Sequence, residues 1–425
     1  MVATASDSKP TRVIVSTRPT VRERRSGAHT LSARTLSTRT VGSLTSSSSP
    51  EPEVTSLVWL IVEPNRLVRA RNRMSELGVD VCLLSVGADL PYLIGYEAMP
   101  LERLTMLVVP REGDPTLVVP RLEASRVEHD PGLFRLVAWE ETEDPVALVA
   151  GLMGSPDVVA IGDHTWARFL IELQAHLPGV RWRKAGGVIA ALRAVKSLPE
   201  IKALARASAA ADRVAGALQA GEIPLVGRTE AEVSAEIGRR LIAEGHRKVN
   251  FAIVAAGPNA ASPHHEAGER VIEHGQVVLC DFGGTMPDGY CSDITRCVHV
   301  GDPPADFVDL YAVLQAAQAV AVGAATAGTA ASEVDAVARR LIADAGYGEW
   351  FIHRIGHGIG LDAHEDPYLV EGNDEPLLAG QVFSIEPGIY VPGRFGARIE
   401  DIVVATQDGS RSLNAVSHDL VVLEG

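Results

Sequence analysis

Five side chains in this 425-residue sequence are of types that hold metal, and each sits in a suggestive context. They are Asp281 in VVLCDFGG, Asp293 in YCSDITR, His357 in HRIGHGIGLDAHE, Glu386 in FSIEPGIY and Glu400 in ARIEDIVV. Four carboxylates and one imidazole favour hard or borderline divalent ions such as Mn, Co, Fe or Zn over thiophilic ones. When deprotonated, the carboxylates carry a formal charge of −4, which balances two divalent cations. One ion would leave the set strongly self-repelling, so the arithmetic points to a two-metal hydrolytic centre.

The elements that must position these groups can be read locally. Val277–Phe282 is a short apolar run closed by Gly283-Gly284, which predicts a buried strand ending in a turn. An unpaired carboxylate inside such a run is costly. Asp293 follows twelve residues after Asp281, beyond the turn signal Met286-Pro287-Asp288-Gly289. That spacing predicts a hairpin with the two carboxylates side by side. Glu386 ends the run Val382–Ile385 and is followed by Pro387-Gly388, while Glu400 lies in the strand-like segment 397–404. A single acid of this kind could be an edge-strand charge or a partner for Arg296 or Arg398. Five together would each need a buried counter-charge. Gly356, Gly358 and Gly360 around His357 imply close packing of backbone at a site.

These residues resemble a known family. GHGIGLDAHE, DFGG…SDITR, SIEPGIY and RIEDIV are similar to the signatures of the pita-bread metallopeptidases, in the Xaa-Pro dipeptidase (prolidase) and aminopeptidase P branch. The resemblance covers residues 63–425. It implies an α/β (α+β) chain: a creatinase-like N-terminal domain over 63–190, then a pita-bread catalytic domain over 191–425 built from two pseudo-symmetric αβ halves. It further implies that Asp281 is the bidentate ligand of one ion, Asp293 and Glu400 bridge, and His357 and Glu386 hold the second. The Asp281–Asp293 interval is one residue longer than in many relatives, which we read as a longer turn at Pro287. By the same resemblance His264 faces the substrate, with His265 the weaker candidate. His364 contacts the substrate carbonyl, His353 belongs to the pocket, and Arg398 orients the bridging carboxylate. His265, His274, His299 and His418 are read as loop or surface residues.

The activity so implied is cleavage of the bond before proline, as an Xaa-Pro dipeptidase acting on a small peptide with proline second. A metal-bridged hydroxide would be the nucleophile, Glu386 the proton shuttle, and His364 or His264 would help stabilise the oxyanion. Proline suits such an enzyme because its imide nitrogen lacks the hydrogen that general peptidases use as a handle. The cofactor expectation is two divalent ions, manganese first, with cobalt or zinc as alternatives. Two other readings are an aminopeptidase P acting on longer peptides and a non-catalytic pita-bread binding protein. The latter is expected to have lost ligands, and here all five stand. The resemblance also suggests a homodimer.

Composition bounds the rest. With 46% apolar and 22% charged residues there is material for two packed domains. A net charge of −15 argues against nucleic acid or an anionic membrane as partner. Residues 1–49 hold eight basic and two acidic residues, about +6, which leaves 31 basic against 52 acidic, −21, for the remainder. Residues 1–55 are Ser, Thr and Arg rich and cannot bury a core, so a disordered tail is expected, either transit-like or an extension from an upstream start. The segment has no secretory apolar region and Ser56–Val62 is too short to span a bilayer, so the expected location is cytoplasmic.

In the N-terminal domain a helix is expected at Pro64–Leu77, strands at Val79–Val86, Leu104–Pro110, Thr116–Val119 and Val158–Ile161, and a further helix at Thr165–Leu177. Asp89–Tyr96 resembles the segment by which this family's N-terminal domain approaches the site. Pro199 fits the first turn of a long helix reaching about Ala220. The string Arg239–Ala243 recurs at Arg339–Ala343 on helical patterns, and Thr229 with Glu232 forms a capping box for the first copy. Cys82, Cys280, Cys291 and Cys297 form no CxxC and read as small buried residues, with Cys291 a remote candidate for a soft ligand.

Overall fold

The computed structural model describes Glu63 and residues 65–424; the expectations for residues 1–55 and Ser56–Val62 lie outside the described residues. The first helix, α1, runs Arg66–Leu77 and stops at Gly78, whose φ of 63° is left-handed. It leads into a six-stranded mixed sheet made of β1 (Val81–Leu84), β2 (Met106–Pro110), β3 (Thr116–Pro120), β4 (Arg135–Trp139), β5 (Val158–Ile161) and β6 (Arg181–Lys184). The order across the sheet is β4-β3-β2-β1-β5-β6. Helices α2 (Asp89–Ile94), α3 (Pro145–Leu152) and α4 (Ala167–His176) connect these strands. Val81 and Leu83 pack into one core cluster, Cys82 and Leu84 into another. Both faces of β1 are thus covered, which is why it reads as a continuous apolar run. The sequence did not reveal β4 and β6 because they are edge strands; β6 reads Arg-Trp-Arg-Lys and offers no apolar pattern.

A short helix α5 (Ala190–Ala194) joins this sheet to the C-terminal part. Helix α6 (Leu198–Gln219) opens with the capping box of Ser197 and Glu200, and Pro199 lies in its first turn. Helix α7 (Glu230–Ala243) is capped by Thr229 and Glu232, as expected. The strands β7 (Lys248–Ala256), β8 (Val277–Thr285) and β9 (Ile294–Val300) follow and form an antiparallel meander. All nine residues of β8 are buried. It does not end in a turn at Gly283-Gly284: the strand continues to Thr285. A Cβ on Gly283 would lie 2.1 Å from the Ser292 carbonyl oxygen, so glycine here permits the close approach of neighbouring chain.

Two more helices, α8 (Ala305–Ala324) and α9 (Ala331–Asp344), precede β10 (Gly356–Gly358), β11 (Glu365–Leu369), β12 (Val382–Ile385), β13 (Gly388–Val391), β14 (Phe395–Arg398), β15 (Asp401–Thr406), β16 (Gly409–Ser412) and β17 (Val421–Leu423). The second sheet has the order β11-β10-β12-β15-β16; β13 and β14 form a hairpin, and β17 returns to pair with β9. Helix α8 is long and apolar enough to cross a membrane, but its Phe307, Leu310, Tyr311 and Leu314 are buried in the core.

The repeated Arg-Arg-Leu-Ile-Ala string proves to be one residue out of structural register. Helices α7 and α9 each have 14 residues and begin at Glu230 and Ala331, 101 positions apart, whereas the string recurs after 100. Val233, Ile237 and Leu241 are buried in one helix and Val334, Ala338 and Ile342 in the other. Leu341 is only partly buried, and Ile242 is exposed. The helices occupy corresponding places through their burial pattern, with the string as helix vocabulary on different faces.

Candidate metal centre

Asp281 lies mid-strand on β8, opposite Thr295 on β9. Asp293 precedes β9 by one residue, so Asp293 and Thr295 share a face. The carboxylates of Asp281 and Asp293 are therefore diagonal neighbours rather than directly opposite. Glu400 sits between β14 and β15, and its backbone bridges to Thr295. Glu386 occupies the step between β12 and β13, and His357 the middle of β10. A Cβ on Gly356 would meet the Ser384 carbonyl oxygen at 1.9 Å, so only glycine lets β10 close against β12 beside His357.

These five groups converge. Ligand atoms of Asp281, Asp293 and Glu400 lie within 4.8 Å of one another, and so do those of His357, Glu386 and Glu400. A third such group joins Asp293, His357 and His364. His357 Nε2 stands 3.3 Å from Glu386 Oε1 and 3.9 Å from Asp293 Oδ2.

Burial sets the electrostatics. It pushes the carboxyls of Asp293 and Glu400 well above the usual carboxylate range, and the neighbouring acids push them further. Glu386 is raised by burial to about 7, although Arg398 opposes the shift. The His357 imidazole is driven down to about 3 by burial and by His364. The 3.3 Å contact of His357 with Glu386 is thus made by a neutral ring, and it is no ion pair. Among the described residues, Asp281 Oδ1 and Asp293 Oδ1 are buried with no hydrogen-bond partner. Buried carboxylate oxygens rarely lack a donor. A pair of divalent ions fits this set, supplying both the missing charge and the missing partners.

Arg398 contributes one cationic partner. It grips Asp281 through Nη2, and donates from Nη1 to the Tyr390 hydroxyl at 2.7 Å and from Nε to Thr295 Oγ1 at 3.0 Å. The Thr295 hydroxyl in turn donates to Glu400 Oε2 at 2.7 Å. Arg398 was expected to orient the bridging carboxylate; its direct hold is on Asp281, and it reaches Glu400 through Thr295. Asp281, Thr295 and Arg398 meet where β8, β9 and β14 come together, while Glu400 lies beyond the end of β14.

The remaining predicted residues divide. His353 is tied to the Tyr390 hydroxyl at 2.9 Å and to the Arg354 carbonyl oxygen at 2.7 Å, and burial pushes it down to about 3. It therefore joins the Tyr390–Arg398–Asp281 chain. His364 is exposed, its ring centroid 3.8 Å from that of His357. Partial desolvation by the surrounding protein, with the charges of Arg354 and His264, depresses it. His264 is itself exposed. His265 is committed to buried Glu230 at 2.7 Å, His299 to the Gly301 carbonyl oxygen at 2.8 Å, and His418 to Asp401 at 2.9 Å. The Cys291 thiol is pushed up to about 11 by burial and touches Asn250, Thr285 and the Leu361 carbonyl oxygen. As a thiol rather than a thiolate it is a poor ligand.

Tyr390, Thr295 and Ser384 escaped the sequence reading. Thr295 shared a face with Asp293 by alternation, and Tyr390 lay inside SIEPGIY, so the signal for both was present. A cavity of about 1050 Å³ opens between the N-terminal sheet domain and the C-terminal part, lined among others by Tyr96, Arg247, Asp288, Cys291 and Asp362. None of the five clustered residues lines it.

Two sheet-and-helix halves with a buried carboxylate–imidazole cluster between them define a metallopeptidase class. The metallopeptidase family M24 profile matches residues 201–407, and that of the creatinase/prolidase N-terminal domain matches 66–195. The chain belongs to metallopeptidase family M24. It is 44% identical over 366 residues to a probable dipeptidase PepE of Mycobacterium bovis, covering 85% of this chain and 97% of that one. An Xaa-Pro dipeptidase of Lactobacillus delbrueckii subsp. lactis is 37% identical over 372 residues, covering 84% and 98%. The crystal structure of dipeptidase PepE from Mycobacterium ulcerans superposes with a TM-score of 0.81 at 46% identity, covering 85% of this chain and 98% of that chain.

Proposed function

We propose that this chain hydrolyses the peptide bond before proline in Xaa-Pro dipeptides. Two divalent ions would be held by Asp281, Asp293, His357, Glu386 and Glu400, manganese foremost, with cobalt or zinc as alternatives. The observation that carries this reading is the cluster itself: four acids and a neutral imidazole, with two buried carboxylate oxygens bare of donors. Asp281, Asp293 and Glu400 would serve one ion, and His357 and Glu386 the other. Glu400, Asp293 and His357 each occur in two of the overlapping groups, and of these only the two carboxylates have a second oxygen to offer another ion, so they would suit the bridging role.

When bound, the ions would supply Lewis acidity, lowering the pKa of a water and polarising the scissile carbonyl. The protein's own groups do the rest. His357 donates from Nδ1 to the Gly358 carbonyl oxygen at 3.1 Å, which leaves the Nε2 lone pair directed into the cluster. Glu386 Oε1 accepts from Ser384 Oγ at 3.1 Å, and burial raises its carboxyl to about 7 in the metal-free cluster. It can take a proton from the attacking water and pass it to the proline nitrogen, which has none of its own to keep. His364 or His264 would donate an N–H to the oxyanion.

Relatives named Xaa-Pro dipeptidase and dipeptidase, at 37% and 44% identity, support the dipeptide assignment. Four buried free thiols suit a reducing compartment, so the reading includes a cytoplasmic location, with a homodimer as its assembly. The test is hydrolysis of Xaa-Pro and Xaa-Pro-Yaa series by metal-stripped protein with Mn, Co or Zn restored. Faster turnover of dipeptides is expected. Faster tripeptide cleavage would replace this assignment with an aminopeptidase P, and metal binding without hydrolysis would leave a binding protein.

A further inference from the structure

A second buried charge cluster lies beside the loop that carries His364. Arg193 ends the connection between the domains, and its Nη1 donates to Asp89 Oδ1 at 2.8 Å, at the start of α2 in the N-terminal domain. Its Nη2 donates to Asp362 Oδ2 at 2.6 Å and to Glu365 Oε2 at 2.5 Å. Lys196 Nζ donates to the other Glu365 oxygen at 2.6 Å. Side-chain exposure is 8% for Arg193, 1% for Lys196 and 7% for Glu365. A Cβ on Gly360 would lie 2.5 Å from Glu365 Oε1, so the loop is folded tightly onto this carboxylate.

His364 stands between the two anchored acids Asp362 and Glu365. Among the described hydrogen bonds its own ring makes none, and it is exposed. The face of His357 is its neighbour at a centroid distance of 3.8 Å. A ring without a bond to hold it takes its place from its backbone, and that backbone is fixed on both sides by Arg193 and Lys196. Buried ion clusters add little net stability because desolvation offsets the attraction, so stability alone is a weak reason for this arrangement.

We propose that Arg193, Lys196, Asp362 and Glu365, joined to Asp89, form a positioning device. It holds the His364 loop against the metal cluster and couples the seating of the N-terminal domain to turnover. The proposal rests on the role of His364 given above. Arg193 is a positioning residue here: its planar fork reaches Asp89 through Nη1 and both acids of the His364 loop through Nη2, a geometry that the compact ammonium of a lysine does not reproduce.

The test compares the full-length protein with His364→Ala, Arg193→Lys and the double variant on an Xaa-Pro dipeptide. Displacements near 1 Å cost on the order of 100-fold in rate, so Arg193→Lys is expected to lower kcat by about tenfold or more. KM and metal stoichiometry should hold. In the His364→Ala background the same change should cost nothing further, because the group it positions is gone. Equal loss in both backgrounds, or a lowered Tm with kcat intact, would overturn the proposal while leaving the role of His364 standing. Wild-type kcat in His364→Ala would instead remove that role, and the proposal with it. Should Arg193→Lys fold poorly, Asp89→Asn removes the leg whose side chain is 23% exposed, and the same comparison applies.

Discussion

Two buried charge clusters in this chain answer opposite questions. Around Glu365, two cations meet three carboxylates, and both Glu365 oxygens receive donors. Burial alone would raise the Glu365 carboxyl, yet Lys196 and Arg193 outweigh it and hold it below the usual range. Around Asp293, four carboxylates converge where Arg398 pairs with one of them, and burial drives the acids toward holding protons. A cluster within one charge of balance, its central carboxylate supplied with donors on both oxygens, behaves as a joint. An unbalanced one, with bare oxygens, is built for ions that arrive from outside.

Substitutions in the carboxylate–imidazole cluster should have the largest effects. Asp293→Ala is expected to abolish turnover and metal retention together, checked by kinetics and by metal content after dialysis. Glu386→Gln keeps the shape but removes the carboxyl proposed to carry the proton, and should cost about 10²- to 10⁴-fold in kcat. Tyr390→Phe cuts the chain from His353 to Arg398 and Asp281, an outer contact expected to cost about 10- to 100-fold in activity or metal affinity.

Acidity sharpens the same contrast. Each ion must displace protons from Glu386, Asp293 and Glu400, so affinity should rise with pH toward about 7, with proton release seen by calorimetry in buffers of different ionisation enthalpy. His357 is already neutral above about 3 and adds no competition there. The stability of metal-free protein carries the matching sign. The folded Glu386 carboxyl is raised from 4.5 to about 7, so its contribution is present below about 4.5 and is lost as pH climbs to about 7. That loss is on the order of 3 kcal/mol. Added metal should therefore raise Tm more at pH 7 than at pH 5. Glu365 has the opposite sense: its contribution is lost as pH falls. The smallest effect is expected from Cys291→Ser, whose thiol is buried and protonated; kcat and metal content should stay near wild type.

Much of the centre was legible because its residues contradict their surroundings. Asp281 in an all-buried strand and Glu400 in an apolar run are local anomalies that need no partner to be noticed. The fold class followed from the same motifs through their resemblance to the family. What escaped depends on which residues meet in space. Thr295 and Tyr390 are ordinary strand residues until register brings them to Arg398. Strand β8 was cut short because glycine next to an apolar run signals a turn, whereas here it admits a neighbouring carbonyl. Edge strand β6 shows no alternation at all. The Arg193–Glu365 pair joins positions 172 residues apart, a link that spacing cannot announce.

The central claim is that the carboxylate–imidazole cluster takes two divalent ions. Equilibrium titration of metal-stripped protein with manganese, read by both heat and bound-metal analysis at pH 7, tests it most directly. The account predicts two ions per chain in the wild type and loss of that stoichiometry in Asp293→Ala. One ion per chain, or undiminished binding in the variant, would contradict it.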